Sequence, residues 1–462
     1  MRVSFEKSDQ KLVQAARDVA LALQHAGYEV YFAGGCVRDA ILERVVNDFD
    51  IATSATPEQI EALFVGHTVA VGKAFGVILV LSHGFTFDVA TFRADGLYLD
   101  GRRPVEIALS NAQGDARRRD FTVNGLFCNP VTGVVVDYVQ GLADLHARVI
   151  RAIGDPAMRF REDHLRLLRA VRFAAILEFQ IEENTWQALT ANATGIDRVS
   201  AERVAMEFER ILFQAPHPSL GLNLLLKAGL LSRFLPEVAA LHGVAQPPQF
   251  HPEGDVWTHT CLMLDEIPPP REPVLAWATL LHDIGKPLTF CEQVDVSTGL
   301  SRIRFPCHAP VGAKIAEKLL MRLRQPLTLI TQVKALVLGH MQFVEAPQMR
   351  RAKLRRFLGA DYFPTLLVLM RLDILHSNGE LATWDFLKEA FDSFKAEPIL
   401  PEPLVRGRDL QEWGMASGPG MGRILQFLYD AQLEGEFTSR EQAHVYLTER
   451  GMAQKAEFKE ML

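Results

Sequence analysis

The chain has 462 residues, 48% of them hydrophobic and 23% charged, with a formal net charge of −7. That length accommodates about two to four domains with their own cores, and the acidic balance leaves any nucleic-acid contact to local basic patches. No apolar run approaches the ~18–20 residues that span a bilayer, and the five cysteines are scattered with no CxxC pair. A membrane protein, a zinc ribbon and a disulfide framework are therefore excluded, and a reducing, cytoplasmic location is expected. The first residues, MRVSFEKSDQKLVQAARDVALALQHAG, lack the apolar core of a signal peptide and read as an amphipathic helix capped by Ser8 or Asp9.

Val30-Tyr31-Phe32-Ala33 is a short apolar run that predicts a strand; Gly34-Gly35 breaks it, and a helix is expected from Val37 to about Leu42. In Asp48-Phe49-Asp50-Ile51 acidic and apolar residues alternate, so on a strand Asp48 and Asp50 share one face with Phe49 and Ile51 behind. Two adjacent carboxylates repel, and a hard divalent cation relieves that repulsion. Mg²⁺ typically takes one or two carboxylates plus substrate phosphates. The glycine pair lets backbone approach a triphosphate, and the helix N-terminus behind it offers N–H donors. The block resembles the signature of polymerase-β-like nucleotidyltransferases, in the branch of class II tRNA nucleotidyltransferases (CCA-adding enzymes) and bacterial poly(A) polymerases. There it reads G-G-x-V-R-D…D-x-D, matched by Gly34, Gly35, Val37, Arg38, Asp39, Asp48 and Asp50.

Ser54–Glu58 reads as a capped helix start with Pro57 in the first turn, followed by strands at 69–71, 76–81 and 85–92. The last would carry Asp88, either as a third acidic group near the metals or as an ordinary surface residue. Residues 93–104 are rich in polar and turn types, predict a mobile loop, and resemble the flexible loop with which CCA-adding enzymes switch from C to A. In Arg117-Arg118-Arg119-Asp120-Phe121-Thr122-Val123-Asn124, guanidinium forks suit phosphate oxygens, and Asp120 and Asn124 suit sugar hydroxyls. Arg118, Arg119, Asp120 and Asn124 match the family's R-R-D-F-T-x-N motif.

From Arg161 the spacing predicts a helix that buries Leu165, Leu168, Val171 and Phe173. Asp163 and Arg166 then lie i,i+3 on one face, as an ordinary surface ion pair or as a base reader. Cytosine and adenine each present an NH₂ donor beside a ring-nitrogen acceptor. A carboxylate with a guanidinium complements that edge, whereas uracil and guanine reverse it. The segment resembles the family's E-D-x-x-R motif at Glu162, Asp163 and Arg166, and Arg169 and Arg172 extend a basic row suited to triphosphate or RNA. The helix after Ser200-Ala201-Glu202-Arg203 resembles the family's neck helix.

Farther on, His259, His282-Asp283, His308, His340 and Asp373 lie on or beside separate predicted helices. Imidazole and carboxylate together suit a divalent or transition metal with water as nucleophile. The set resembles the HD phosphohydrolase superfamily at His259, His282, Asp283 and Asp373, with His308 and His340 where two-metal members carry further ligands. Arg350–Arg356 holds five cations in seven residues, either a charged helix face or an RNA contact. Residues 396–403 read as a rigid linker, and the tail after it resembles the same tRNA-tailing family.

The expected fold is α+β: a nucleotidyltransferase head with a small mixed sheet (1–140), a helical neck (141–245), an HD-like helical domain (246–395) and a helical tail (396–462). The resemblance implies a template-independent enzyme that adds or repairs tRNA 3′-terminal CCA from CTP and ATP, with two Mg²⁺ held by Asp48 and Asp50. A sister A-adding enzyme or poly(A) polymerase shares every head motif, and a second divalent or transition metal at the HD site would supply phosphohydrolase activity.

Overall fold

A computed structural model describes residues 1–73, 76–95, 107–294, 301–394 and 398–450. The chain forms two compact units: Met1–Ala240 with Ile267–Glu272 and Arg322–Arg324, and the remainder, Leu241–Glu266, Pro273–Met321 and Gln325–Leu462.

The first unit is built on a seven-stranded mixed sheet of order β3-β4-β5-β2-β1-β8-β9. Its strands are β1 (Val30–Ala33), β2 (Asp50–Thr53), β3 (Thr68–Gly72), β4 (Val77–Ser82), β5 (Phe85–Thr91), β8 (Leu126–Cys128) and β9 (Val135–Asp137). Within this sheet, among the described residues, only β2 and β5 pair in parallel, so the sheet is mixed as expected. A separate hairpin, β6 (Arg93–Asp95) with β7 (Ile107–Leu109), flanks residues 96–106. Of the loop expected over 93–104, Arg93–Asp95 instead forms β6, where pairing with β7 satisfies its backbone, and 96–104 lie outside the described residues, as do 396 and 397 of the expected linker.

Helices α1 (Gln10–His25), α2 (Gly35–Ile41), α3 (Pro57–Leu63), α4 (Ala112–Arg118) and α5 (Gly141–Ala147) complete the head. In α1 the buried residues Leu12, Val13, Ala16, Val19, Ala20 and Leu23 recur at helical spacing. Asp9 is its cap, accepting from Lys11 N, while Ser8 Oγ instead accepts from Val46 N. Thr56 and Gln59 form a capping box at α3, with Pro57 in its first turn. Phe5, Phe32 and Phe49 stack behind β1 and β2, with ring centroids 5.0–5.7 Å apart. Phe49 and Ile51 are fully buried, as the alternation requires. Next come α6 (Pro156–Glu162), α7 (Arg166–Leu177), α8 (Glu183–Ala191), α9 (Ala201–Gln214), α10 (Pro218–Lys227), α11 (Leu231–Phe234) and α12 (Pro236–Ala239).

The continuous helix expected from Arg161 is broken. Asp163 is extended, at φ −142° and ψ 106°, and its side chain accepts from Leu165 N at 3.1 Å. A short acidic side chain that bonds its own downstream backbone competes with the helical ladder, so α6 ends and α7 begins afresh. Leu165, Leu168, Val171 and Phe173 are buried all the same.

The second unit contains α13 (Val256–Glu266), α14 (Pro273–Leu281), α15 (Lys286–Thr289), α16 (His308–Arg322), α17 (Leu327–Gly339), α18 (Arg351–Leu358), α19 (Phe363–Leu375), α20 (Ala382–Ser393), α21 (Gly407–Glu412), α22 (Pro419–Glu434) and α23 (Arg440–Glu449). Val405, Leu410, Leu428, Phe437 and Leu447 form a small core among the last helices. The cations of 350–356 divide: Arg355 donates to the carbonyls of Ile399 and Pro398, Arg356 pairs with Asp430, and Arg350, Arg351 and Lys353 are exposed. Among the described residues no single helix is long and apolar enough to cross a membrane.

Candidate functional sites

One cavity of about 760 Å³ in the first unit is lined by Gly34, Gly35, Arg38, Asp48, Asp50, Asp88, Arg118, Arg119, Asp120, Asn124, Asp163, Arg166, Arg169 and Arg172. Every residue predicted for nucleotide chemistry in the head and neck therefore faces one space. Its acidic wall follows from strand pairing. Asp50 opens β2 and Asp88 lies on β5, each one residue before the parallel pair Ile51–Val89, so the two carboxylates are neighbours on adjacent strands. Asp48 is exposed just before β2. Burial pushes the Asp50 carboxyl up to about 6; Arg119 opposes the shift, while the charges of Asp48 and Asp88 add to it. Burial and the Asp48 charge likewise raise Asp88. Converging carboxylates that disfavour their own ionisation are what a hard divalent cation satisfies, so the donor set fits one.

The rest of the lining is largely basic, and most of its guanidiniums are already tethered. Gly34 has φ +70°, and a Cβ there would stand 2.8 Å from Arg119 Nη1, so the turn needs glycine. Asp115, only 1% exposed, accepts from Arg118 Nε at 2.7 Å and Arg119 Nη2 at 3.0 Å. Arg38 donates to Asp39 and, at 2.6 Å, to Asn124 Oδ1. Asp120 accepts from Asn124 Nδ2 and, at 2.7 Å, from Arg169 Nε. Burial would push Asp120 up, yet Arg169 and Asn124 hold its carboxyl well below the usual carboxylate range. Asp120 thus fixes Asn124 and Arg169 at the cavity edge. Arg172 is clamped by Glu207 of α9 at 2.5 Å.

Asp163 and Arg166 both face the cavity, but they do not form the i,i+3 ion pair that an unbroken helix predicts. Arg166 donates to Glu162 at 2.7 Å and to the carbonyls of Arg159 and Arg118. Asp163 is approached by Arg203 of α9 at 3.3 Å. With the helix broken at Asp163, its carboxylate accepts from Leu165 N and from Arg203 of α9, and Glu162, at i,i+4, is the acid left on Arg166. Sequence reading missed Asp115, Arg203, Glu207 and Arg210, all of which line or brace this cavity. Glu207 left one trace: a carboxylate among the apolar positions of an otherwise amphipathic helix.

The second unit gathers the predicted His/Asp set. His259 Nε2 lies 3.1 Å from Asp373 Oδ1, and His259, His282 and Asp373 present one ligand atom each within 4.8 Å. Asp283, His308 and His340 form a second such group. His282, His308 and His340 each direct Nδ1 at the carbonyl three residues earlier: Thr279 at 2.8 Å, Phe305 at 2.9 Å and Val337 at 2.7 Å. A carbonyl can only accept, so Nδ1 carries the proton and Nε2 is bare in the neutral ring. His308 and His340 then face each other, Nε2 to Nε2, at 3.1 Å, beside Asp283. His282 Nε2, also near Asp283, is buried with no hydrogen-bond partner.

Lone pairs turned on one another in a buried, carboxylate-lined site fit metal cations well. Burial opposes charging of His308, holding it down to about 4, although Asp283 pulls the other way. Burial disfavours the charged form of His259 too, yet Asp373 and Glu253 raise it to about 10. Asp283 is held far below its ordinary range against its burial by His282 and Lys286, whose ammonium lies 2.6 Å away. The motif did not point to Lys286, His251 or Glu253.

Fold and sites together define a nucleotidyltransferase head with a helical neck in one unit and an HD-type helical domain, whose His/Asp groups could hold metal, in the other. Matching family models agree: a poly A polymerase head domain over residues 30–151, a probable RNA and SrmB-binding site of polymerase A over 178–241, and an HD domain over 255–378. A CCA-adding enzyme of Streptococcus thermophilus is 38% identical over 291 residues, covering 61% of this chain and 70% of the relative. One from Limosilactobacillus fermentum is 44% identical over 200 residues, covering 43% of this chain and 50% of that relative. The Bacillus stearothermophilus CCA-adding enzyme solved with CTP superposes with a TM-score of 0.72 at 26% identity, over 95% of this chain and 97% of the other. A Thermotoga maritima CCA-adding enzyme solved with tRNA shares the fold, with a TM-score of 0.58 at 18% identity over 96% of each chain. The chain belongs to the CCA-adding enzyme family.

Proposed function

We propose that this chain builds or repairs the CCA end of tRNA in the cytoplasm, using CTP and ATP without a nucleic-acid template. The observation that carries the reading is the one cavity lined by Asp48, Asp50 and Asp88 together with Asp163, Arg166 and a row of tethered arginines. Asp48, Asp50 and Asp88 would hold Mg²⁺, which when bound polarises the attacking 3′-hydroxyl and neutralises the leaving pyrophosphate. Arg38, Arg118, Arg119, Arg169 and Arg172 bind and orient the triphosphate; tethering by Asp39, Asp115, Asp120 and Glu207 preorganises their forks before it arrives. The Gly34-Gly35 turn lets backbone approach the phosphates, and Asn124 meets the sugar.

Asp163 accepts from the exocyclic amine of cytosine or adenine while Arg166 donates to the ring nitrogen. Because Arg166 is held by Glu162 and Asp163 by Arg203, the two readers are set independently. Residues 1–140 then act as the catalytic head, 141–245 as the base-reading neck, and 246–395 with the 396–462 tail as the remaining body.

The test is extension of a tRNA that lacks CCA, with CTP and ATP supplied separately and together. A CCA-adding enzyme gives two C additions with CTP, one further A with ATP, and then stops. A single A on a tRNA already ending in CC marks an A-adding enzyme, and a long A tail marks a poly(A) polymerase.

A second reading concerns the other unit. The facing Nε2 atoms of His308 and His340 support a metal-dependent phosphohydrolase or phosphodiesterase centre, with His259, His282, Asp283 and Asp373 completing the ligands. Its assay is hydrolysis of a cyclic nucleotide monophosphate by the full chain, with a His282→Ala control.

A further inference from the structure

We propose that Glu253 is the positioning residue of the HD centre: its carboxylate, together with the His376 carbonyl, holds His259 Nδ1 so that Nε2 faces the metal site, and strengthens that nitrogen as a ligand. This rests on the metal-centre reading above and extends it to a loop that the His/Asp motif does not contain. The histidines of the centre are oriented in two ways. His282, His308 and His340 are each set by a backbone carbonyl three residues earlier. His259 is set differently: Nδ1 meets the Glu253 Oε1 carboxylate oxygen at 2.7 Å as well as the His376 carbonyl at 3.0 Å. With Nδ1 as the donor, Nε2 is the atom left facing Asp373 and His282. A carboxylate behind a ligand imidazole both selects the tautomer and increases the ligand's electron donation, which a neutral carbonyl does less strongly.

The loop is built to hold that carboxylate in place. The same Glu253 Oε1 is 2.8 Å from His251 Nδ1, and the His251 ring packs edge-on against His259 with centroids 4.9 Å apart. Gly254 turns the chain at φ +125°, and Asp255 pins the far side of the loop. Its two oxygens accept from Gly243 N at 2.6 Å and from Thr258 N at 2.9 Å, which caps α13 just ahead of His259. Glu253 Oε2 is buried and has no partner, so the carboxylate is committed through Oε1 alone. A side chain desolvated on one oxygen to serve two imidazoles with the other is poorly explained as a surface residue.

Ni²⁺ suits imidazole-rich sites better than the all-carboxylate wall of the head. Titrating it calorimetrically into the untagged full-length chain therefore reports on this centre. Wild type should bind Ni²⁺, His282→Ala should lose that binding, and Glu253→Gln should weaken it by about 10- to 100-fold. Glu253→Asp, which keeps the charge at shorter reach, should recover part of the loss. If Glu253→Gln unfolds, Glu253→Asp carries the test: a folded Glu253→Asp chain with wild-type Ni²⁺ affinity would overturn the proposal. Equal Ni²⁺ affinity in wild type and folded Glu253→Gln would overturn the proposal and leave the metal centre standing. Absence of Ni²⁺ uptake by wild type would overturn the metal-centre reading and this proposal with it.

Discussion

Asp50 combines two opposed demands: it must be buried enough to sit beside β5, yet carry charge opposite a triphosphate. Burial and the charges of Asp48 and Asp88 push it up to about 6, against an ordinary carboxyl near 4. A raised carboxyl means that the unfolded chain gives up its proton first, so ionisation costs folded-state stability. Below about pH 4 that cost is absent; it develops as pH rises through 6 and persists above. Metal-free protein should therefore lose thermal stability between pH 4.5 and 7, Mg²⁺ should restore it at pH 7 and not at 4.5, and Asp50→Asn should flatten the dependence; differential scanning calorimetry checks all three. In the same cavity, Asp163→Ala removes the acceptor for the exocyclic amine. Incorporation of C and A on a CCA-less tRNA should fall by roughly 10- to 100-fold while U and G are discriminated less, because an unmatched polar edge costs about 1–3 kcal/mol. Both carboxylates were legible in the sequence, one from alternation in D-x-D and one from the spacing of E-D-x-x-R. Their partners were not: Arg203 is 40 residues from Asp163, and nothing local specifies that pairing.

Helices α7 and α9 are held together by charge as well as by apolar contact. Glu207 is 3% exposed and Arg172 7% exposed, and they meet at 2.5 Å. Removing one member of a buried pair leaves the other uncompensated, at about 3–5 kcal/mol. Glu207→Gln should lower stability by about that amount in urea unfolding and raise KM for CTP and ATP, since Arg172 loses its tether beside the cavity. A glycine marks a comparable constraint in the second unit. A Cβ on Gly285 would come within 2.1 Å of the His308 carbonyl oxygen. Gly285→Ala should therefore force α15 and α16 apart and weaken Ni²⁺ binding, read by calorimetry, without touching a ligand. The period-2 and period-3.6 patterns marked β1 to β5 and helices α1, α2 and α7, because they depend on residues a few positions apart, and left the short strands β6 to β9 unmarked. They could not mark the break at Asp163, where a side-chain-to-backbone bond overrides a good helical pattern.

The two sites occupy separate compact units with separate cores, so their chemistries should be separable. Asp48→Ala should abolish nucleotide incorporation by the full chain, yet leave Ni²⁺ uptake and any cyclic-phosphate hydrolysis unchanged. His282→Ala should do the reverse, and parallel primer-extension and hydrolysis assays decide between separable and linked sites. By itself the sequence determined which chemical groups are present and in what local order: paired carboxylates after a glycine turn, arginines ahead of an Asp and an Asn, and an adjacent His-Asp among distant histidines. The tertiary structure alone decided which distant groups face each other: Glu207 behind Arg172, His308 against His340, and Asp373 against His259. The reason is physical. Spacing along a chain fixes direction within one turn or strand, whereas a partner 30 to 120 residues away is chosen by packing, which brings whole faces together at once and leaves buried charges only the counter-groups that packing supplies.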